Sequence, residues 1–457
     1  MNRKQTTKRI YTALMALIVV ALETGIVTYI FYWYYNTELP KAYYFWGHVF
    51  ISAVYMAILI LFSVMYGGLH IGSYRMLELV LSQGFSTLIA NVIFYAMVTL
   101  LAYHFPSPWP LAVGTLIQCF IIGIWIILAT HGYRALFPPV DVLLVYGGKN
   151  KELFAQKVAT RRHQFTIKKS IEASADNLDE VFDEISHHEA VMLWDLSNSI
   201  RNQVFKKCYE SDVDVYVSPK IMDIVLKGSQ NLHFFDTPLL YTKNEPVEVE
   251  QAVAKRVFDI VLSLCLLVLF SPVLLITAIA VKCYDGGSVF YKQLRCTKGG
   301  RNFYIIKFRS MIEQAEGDGV ARLASKNDDR ITPVGKFIRR TRIDELPQLI
   351  NVLKGEMSFV GPRPERPEII EKYVKVMPEF AYRTKVKAGI TGYAQIYGKY
   401  NTLPYDKLKL DLFYIENFSV WMDLWLVILT VKTLFKFDST EGVSEGEITP
   451  MGDDDEE

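Results

Sequence analysis

The stretch Ile260-Val-Leu-Ser-Leu-Cys-Leu-Leu-Val-Leu-Phe-Ser271-Pro272-Val-Leu-Leu-Ile-Thr-Ala-Ile-Ala-Val281 decides the fold. Its 22 residues carry no charge and would make about 33 Å of helix, enough to cross a bilayer. Two features argue against a simple crossing. Ser271-Pro272 sits at the centre, where proline removes a backbone donor and kinks the helix. Lys255 and Arg256 precede the stretch and Lys282, Lys292 and Arg295 follow it, the bracket expected when both ends stay on one face. A re-entrant membrane helix broken at Ser271-Pro272 meets both observations. The alternative is a kinked span, which would put everything after residue 285 outside the cell, away from cytosolic nucleotides.

Upstream, residues 1–133 hold only nine of the chain's 97 charged side chains, and residues 134–457 hold the rest. Four apolar runs, at about 10–34, 44–65, 81–103 and 111–130, are each long enough to span. From residue 79 to residue 133 there is no Asp, Glu, Lys or Arg, so His104-Phe-Pro-Ser-Pro-Trp-Pro110 is the turn between two helices. The N-terminus lacks a small-residue cleavage site and reads as a retained segment. Arg3, Lys4, Lys8 and Arg9, then Arg75, then Arg134 mark one face, and the other loops hold only Lys41. Both ends of the bundle are expected in the cytoplasm. Glu23 is the one acid within a span, expected as a snorkelled or helix-paired carboxylate rather than a proton relay.

Residues 138–250 alternate β-rich and helical patterns, the signature of a small βαβ domain with a parallel sheet, Rossmann-like in outline. Its first turn, Val145-Tyr-Gly-Gly-Lys149, lacks the G-x-G-x-x-G that brings backbone against a pyrophosphate, so a structural or regulatory role is preferred to nucleotide binding. Residues 418–435, with Trp421, Trp425 and a lone Asp423, read as an amphipathic helix in the membrane interface. The net charge of +1 is a cancellation. The last twenty residues carry nine acids and no base, a tail expected to be disordered, and the remaining chain is +10. The five cysteines are scattered and suggest neither a disulfide framework nor a zinc site.

All eight histidines lie at or before His233, so imidazole cannot serve as base, nucleophile or ligand in the C-terminal half. That half offers carboxylates among arginines and lysines, the groups that handle phosphate esters with a hard cation. They are densest at Arg339-Arg-Thr-Arg-Ile-Asp-Glu-Leu-Pro-Gln348 and Gly361-Pro-Arg-Pro364. Asp344 is expected at a helix start, where an anion faces free N–H groups, and a plain N-cap is the bland reading. Glu345, about 100° further round a helix, should not duplicate it: one acid can attack while the other holds Mg²⁺. Arg363 lies between two prolines, which stiffens a fork suited to phosphate, although a rigid surface turn would look the same. Lys307-Phe-Arg309-Ser-Met311 could be a basic strand against anionic lipid.

These strings, in order Lys255-Arg-Val-Phe-Asp259, Ser271-Pro272, Lys307-Phe-Arg-Ser-Met311, Asp344-Glu-Leu-Pro-Gln-Leu349, Met357-Ser-Phe-Val-Gly-Pro-Arg-Pro364 and Gly389-Ile-Thr-Gly-Tyr-Ala-Gln395, resemble the bacterial sugar transferases. These are monotopic polyprenyl-phosphate phosphoglycosyl transferases that initiate capsule or exopolysaccharide synthesis. The resemblance covers about residues 252–437; the four helices and βαβ domain match the large members by architecture only. It implies that Asp344 attacks the β-phosphate of a UDP-sugar, releasing UMP, and that undecaprenyl phosphate then takes the phosphosugar. It implies Glu345 as the Mg²⁺ position, Arg363, Arg339, Lys307 and Arg309 as phosphate-contacting cations, and Lys255, Arg256 and Asp259 where the lipid phosphate arrives. Arg342 stands where relatives carry Ser or Thr, and Ile396-Tyr-Gly-Lys399 where they often have Gly-Arg, which leaves Lys399 without a role.

The expected architecture is therefore a membrane protein, α plus α/β. It has a four-helix transmembrane bundle (1–137), a Rossmann-like regulatory or dimerisation domain (138–250), a re-entrant helix with a monotopic α/β catalytic domain (251–437) and an acidic tail (438–457). A bacterial inner-membrane homodimer is expected, with the catalytic domain on the cytoplasmic face and no nucleic-acid partner. UDP-glucose and UDP-galactose lead as donors, with N-acetylated sugars behind. The competing readings are a membrane sensor or scaffold without catalysis, and a polytopic transferase without a covalent intermediate, which would need about twice as many spans.

Overall fold

The computed structural model describes residues 3–148, 151–244, 247–312, 330–398 and 402–434. The acidic tail and Lys399 lie outside the described residues. The chain divides into two compact units, Met1–Ser218 and Pro219–Glu457.

In the first unit four helices are long and apolar enough to cross a membrane. They are α1 (Arg3–Ile30), extended through a π-helical turn to Glu38, α2 (Phe45–Tyr66), α3 (Met76–Ala102) and α4 (Trp109–Leu136). They match the four apolar runs, and Pro110 occupies the first turn of α4, where its missing N–H costs nothing. Glu23 does not snorkel. It is fully buried, accepting from Gln83 Nε2 (2.8 Å) and Thr87 Oγ1 (2.5 Å) of α3. Gln118 of α4 donates to the Glu23 carbonyl and to Tyr55 of α2, and Asn91 of α3 bonds both Gln118 and Tyr55. An acid in an apolar stretch is tolerated because polar side chains of neighbouring helices surround it.

The same unit continues as β1 (Val140–Tyr146), α5 (Lys151–Ala159), β2 (Phe165–Glu172), α6 (Leu178–Ile185), β3 (Ala190–Trp194), α7 (Asn198–Glu210) and β4 (Asp214–Val217). The strands form one parallel sheet in the order β2-β1-β3-β4, and Val142 through Val145 are buried on both faces, as parallel strands covered by helices require. The glycines of the first turn are spent inside the fold: a Cβ at Gly147 would stand 2.8 Å from the Asp195 carbonyl.

The second unit opens with α8 (Ile221–Lys227) and the hairpin of β5 (Gln230–Phe234) and β6 (Thr237–Tyr241). Then come α9 (Val249–Leu269) and α10 (Ser271–Asp285), bent by 63° at Phe270. Pro272 lies in the first turn of α10, and Ser271 Oγ bonds back to Val268 O at 2.8 Å, so the pair ends one helix and starts the next. Beyond it lie the hairpin β7 (Phe290–Cys296) and β8 (Asn302–Phe308), α11 (Pro333–Arg340), α12 (Gln348–Lys354) and β9 (Ser358–Val360). The unit closes with α13 (Pro367–Val376), β10 (Gly389–Thr391), α14 (Tyr393–Tyr397), α15 (Pro404–Glu416) and α16 (Val420–Leu434).

Parallel pairing of β9 and β10 brings Gly361 against Gly389, where a Cβ on Gly389 would fall 2.1 Å from the Gly361 nitrogen. That contact explains a glycine in each motif. Asp423 of α16 is fully buried, held by Lys255 Nζ (2.5 Å) and Tyr414 OH (2.7 Å), so this face of the helix packs on the domain.

Asp259, also buried, accepts from Ser358 Oγ (3.0 Å) and the Phe359 amide (2.9 Å), tying α9 to β9. Asp259→Ala leaves both donors buried and unsatisfied and should destabilise this unit by about 1–3 kcal/mol. Thermal unfolding of the detergent-solubilised protein checks it; an unchanged midpoint would refute the tie.

Candidate active site

Local sequence builds the site on three short pieces. Thr332 caps α11, its hydroxyl accepting from the Gly335 amide, and Pro333 starts that helix. The chain then reverses at Arg342, whose φ of 59° lies in the left-handed region, a conformation that costs a non-glycine residue about 1 kcal/mol or more. It forms a single 3₁₀ turn, Ile343–Glu345, before α12. Asp344 is thus not the N-cap of α12, which begins four residues later, at Gln348 after Pro347. Asn351 sets the depth of this turn against β8, donating to Tyr304 O (2.8 Å) and accepting from the Ile306 amide (3.0 Å).

The two acids separate as their spacing suggests. Glu345 Oε1 accepts from Lys307 Nζ and from an Arg363 guanidinium nitrogen, each at 2.9 Å. Burial pushes the Glu345 carboxyl up, but Lys307, Arg363 and Arg342 outweigh it and hold it well below the usual range. Asp344 is buried too, and its Oδ1 has no hydrogen-bond partner among the described residues. Burial first, then the Glu345 charge, raise its carboxyl to about 6 against the pull of Lys307, Arg342 and Arg339. Neighbouring acids pushed in opposite directions are a signature of division of labour.

The turn carrying Arg363 is held from behind. Arg383 donates to the Arg363 carbonyl (3.0 Å) and to buried Asp411 (2.6 Å), and Arg295 donates to the Pro364 carbonyl (3.1 Å). Glu365 pairs with Lys407 at 2.5 Å; burial would raise its carboxyl, yet Lys407, Arg383 and Arg295 bring it down to about 2. Arg383, Asp411, Glu365 and Lys407 are missing from the sequence reading, which used Arg295 only as part of the basic bracket. The available signal was Asp411, a single acid within the apolar rhythm Leu408, Leu412, Ile415 of α15.

Of the expected site residues, Lys307, Asp344, Glu345 and Arg363 converge, and Arg339 is close enough to act on Asp344, its side chain making no hydrogen bond or ion pair among the described residues. Arg309 does not join them. The strand ends at Phe308, and the Arg309 guanidinium forms a two-pronged pair with Asp285, over Gly287, where a Cβ would stand 2.5 Å from it. Lys255, Arg256 and Asp259 face inward: Lys255 bonds Val360 O and Asp423, Arg256 bonds Val352 O and Leu353 O, and Asp259 bonds β9. Those positions anchor α9 to the domain. Ser271 and Pro272 are at the bend, remote in role from the acids.

The acid pair also suits a hard cation. Among the described residues, Lys307 and Arg363 both bond Glu345 Oε1, Asp344 Oδ1 is buried without a partner, and no cluster of three or more acidic, His or Cys ligands exists. That donor set fits Mg²⁺, which keeps waters and takes one or two carboxylates together with substrate phosphates.

In metal-free protein, Glu345→Gln removes the charge that helps raise Asp344 while leaving the cations. The Asp344 carboxyl should then titrate below 6, readable by difference infrared spectroscopy of the carboxylate; an unchanged or higher value would contradict the coupling.

The profile of the bacterial sugar transferases matches residues 250–437. The chain is 38% identical over 231 residues to an Aeromonas hydrophila UDP-N-acetylgalactosamine-undecaprenyl-phosphate N-acetylgalactosaminephosphotransferase, covering 50% of this chain and 54% of that one. It is 40% identical over 227 residues to the UDP-glucose:undecaprenyl-phosphate glucose-1-phosphate transferase of Escherichia coli K12, covering 49% of each. The same named activity in Caulobacter vibrioides is 40% identical over 190 residues, 40% of this chain and 71% of that one. Most of these matches span about half the relatives' length, and the site just described lies inside the matched region. With the acid pair, the cationic turn and the glycine-paired strands all inside that region, the chain belongs to the bacterial sugar transferase family.

Proposed function

We propose that the protein transfers a sugar 1-phosphate from a UDP-sugar to undecaprenyl phosphate through a covalent aspartyl-phosphosugar. The observation that carries this reading is the buried Asp344 carboxylate with an unpartnered oxygen, beside a Glu345 locked by Lys307 and Arg363. Asp344 Oδ1 attacks the phosphorus that carries the sugar. The bond from that phosphorus to the bridging oxygen breaks, and the electron pair leaves with UMP. A phosphate oxygen of undecaprenyl phosphate then attacks the same phosphorus, and Asp344 departs as carboxylate. No histidine is required, since a carboxylate needs no base to attack.

Arg363, held rigid from behind by Arg383 and Arg295, and Lys307 stabilise charge on the transferring phosphate, with Arg339 within reach of the same region. Glu345 would hold Mg²⁺, which when bound neutralises phosphate charge and polarises the phosphoryl oxygen. The relatives' names support UDP-sugar and undecaprenyl phosphate as substrates. UDP-glucose and UDP-galactose are the donors we favour, and the N-acetylgalactosamine relative makes N-acetylated sugars the next to test.

The 63° bend at Phe270 and the basic bracket support a re-entrant α9–α10 in the cytoplasmic leaflet of a bacterial inner membrane. The covered parallel sheet supports a Rossmann-like middle domain, to which we assign a regulatory or dimerising role in a homodimer. The role we assign is the first membrane step of capsule or exopolysaccharide synthesis.

Asp344→Asn should reduce UMP release from UDP-sugars by at least about 10⁴-fold while membrane insertion is unchanged, because the amide cannot act as nucleophile. Purified membranes with undecaprenyl phosphate, Mg²⁺ and a panel of UDP-sugars give both the donor and this test; an active Asn variant rules out the nucleophile. For topology, Lys298→Cys in a background lacking the five native cysteines should resist impermeant maleimide on intact cells. Efficient labelling would mean a true fifth span.

A further inference from the structure

A cavity of about 580 Å³ opens beside the β7–β8 hairpin, between it, the end of α12 and the segment before β10. Tyr304 and Ile306 line it from the strand face opposite Lys307, and Phe303 lines it from the far end of β8, four residues from Lys307. None of Lys307, Arg339, Asp344, Glu345 or Arg363 is among its lining residues.

Its walls are strongly cationic. Lys292, Lys298, Arg301, Lys354 and Lys387 line it, from β7, the turn after it, the end of α12 and the segment before β10. Arg256 stands at its edge: a Cβ on Gly355 would be 3.5 Å from an Arg256 nitrogen and 3.7 Å from Lys387 Nζ. Arg256 itself bonds only carbonyl oxygens, Val352 O and Leu353 O, and so gains no counter-charge. The one acid in the lining, Glu356, accepts from Asn351 Nδ2 at 2.7 Å. No ion pair links any of the five lining cations to a described residue. The contrast with the catalytic side is sharp, since Lys307, Arg363, Arg383 and Lys407 each hold a carboxylate there.

Five converging cations repel one another, and a fold keeps them together at a cost unless an anion offsets it. The Lys387 ammonium registers that cost: burial, then Arg256, pull it below the ordinary lysine value. The geometry points to a second phosphate-binding site in this cavity, separate from the Asp344 centre, that takes a phosphate group through Lys298, Arg301, Lys354 and Lys387. Ammonium and guanidinium groups are the usual phosphate partners. A soluble phosphate and the headgroup of an anionic lipid beside α9 offer the same chemistry.

Lysine acylation of the full-length protein, read peptide by peptide, separates these sources. A phosphate within contact of an ammonium raises its pKa by about one unit or more and slows acylation about tenfold. One arm compares inorganic phosphate with chloride at matched ionic strength in neutral detergent. The other compares nanodiscs of phosphatidylglycerol with nanodiscs of phosphatidylcholine. We expect Lys354 and Lys387 to slow about tenfold in at least one arm while exposed Lys375 does not change. Protection in the first arm assigns a soluble phosphate, and protection confined to the second assigns a lipid headgroup. The K298Q/R301Q/K354Q variant, altered only at exposed positions, should lose the protection of Lys387. The proposal is overturned if neither arm protects, if Lys375 slows equally, or if the triple variant protects Lys387 as wild type does. UMP release is not needed for any of these readings, so failure here is distinguishable from failure of the Asp344 assignment.

Discussion

The pairing of Glu345 with Lys307 and Arg363 is the constraint on which the site depends. It joins a β-hairpin, a 3₁₀ turn and a proline-bounded loop through one carboxylate oxygen. Buried ion pairs seldom add much net stability, because desolvating three charged groups offsets most of their attraction. What this one supplies is placement. It fixes Glu345 as an anion, and that anion, with burial, keeps its neighbour Asp344 reluctant to ionise and without a partner. A carboxylate left unpaired inside a cationic pocket is available to a phosphorus atom in a way that a salt-bridged one is not.

The rest of the domain holds that arrangement still. Asn351 fixes the turn against β8, Arg383 and Arg295 brace the Arg363 loop, and the Gly361–Gly389 contact sets where that loop leaves the sheet. Lys255, Arg256 and Asp259 do the same for α9, through Asp423, α12 and β9. The bent apolar helix pair and the acid pair are thus tied together by buried polar contacts within one unit. The strained Arg342 is part of the same design, since its left-handed φ turns the chain from α11 into the acid pair.

Much of this was legible in the sequence, for definable reasons. Spanning helices announce themselves because twenty uncharged residues have few other uses, and the parallel sheet announces itself through its βα alternation. The acid pair and Arg363 stand out in the sequence because carboxylates and arginines are densest there, and the structure brings Glu345 and Arg363 into contact. What could not be read was the choice of partner. Lys307 and Arg309 look equivalent two residues apart, yet one meets Glu345 and the other Asp285, because the strand ends between them. The resemblance puts Lys255, Arg256 and Asp259 where a lipid phosphate arrives, and the structure adds partners that the sequence does not announce: carbonyls, a hydroxyl, an amide and Asp423. Asp423 breaks the apolar pattern of α16, and its partner Lys255 lies 168 residues away. Long-range pairing of this kind leaves no local trace.

The central claim is the covalent bond at Asp344. Peptide mass spectrometry of the full-length protein, quenched after exposure to its UDP-sugar and Mg²⁺ in the absence of undecaprenyl phosphate, tests it directly. The account predicts one added sugar phosphate on the peptide containing Asp344, discharged when undecaprenyl phosphate is supplied. An unmodified Asp344 in protein that is turning over, or an adduct on another residue, would contradict it.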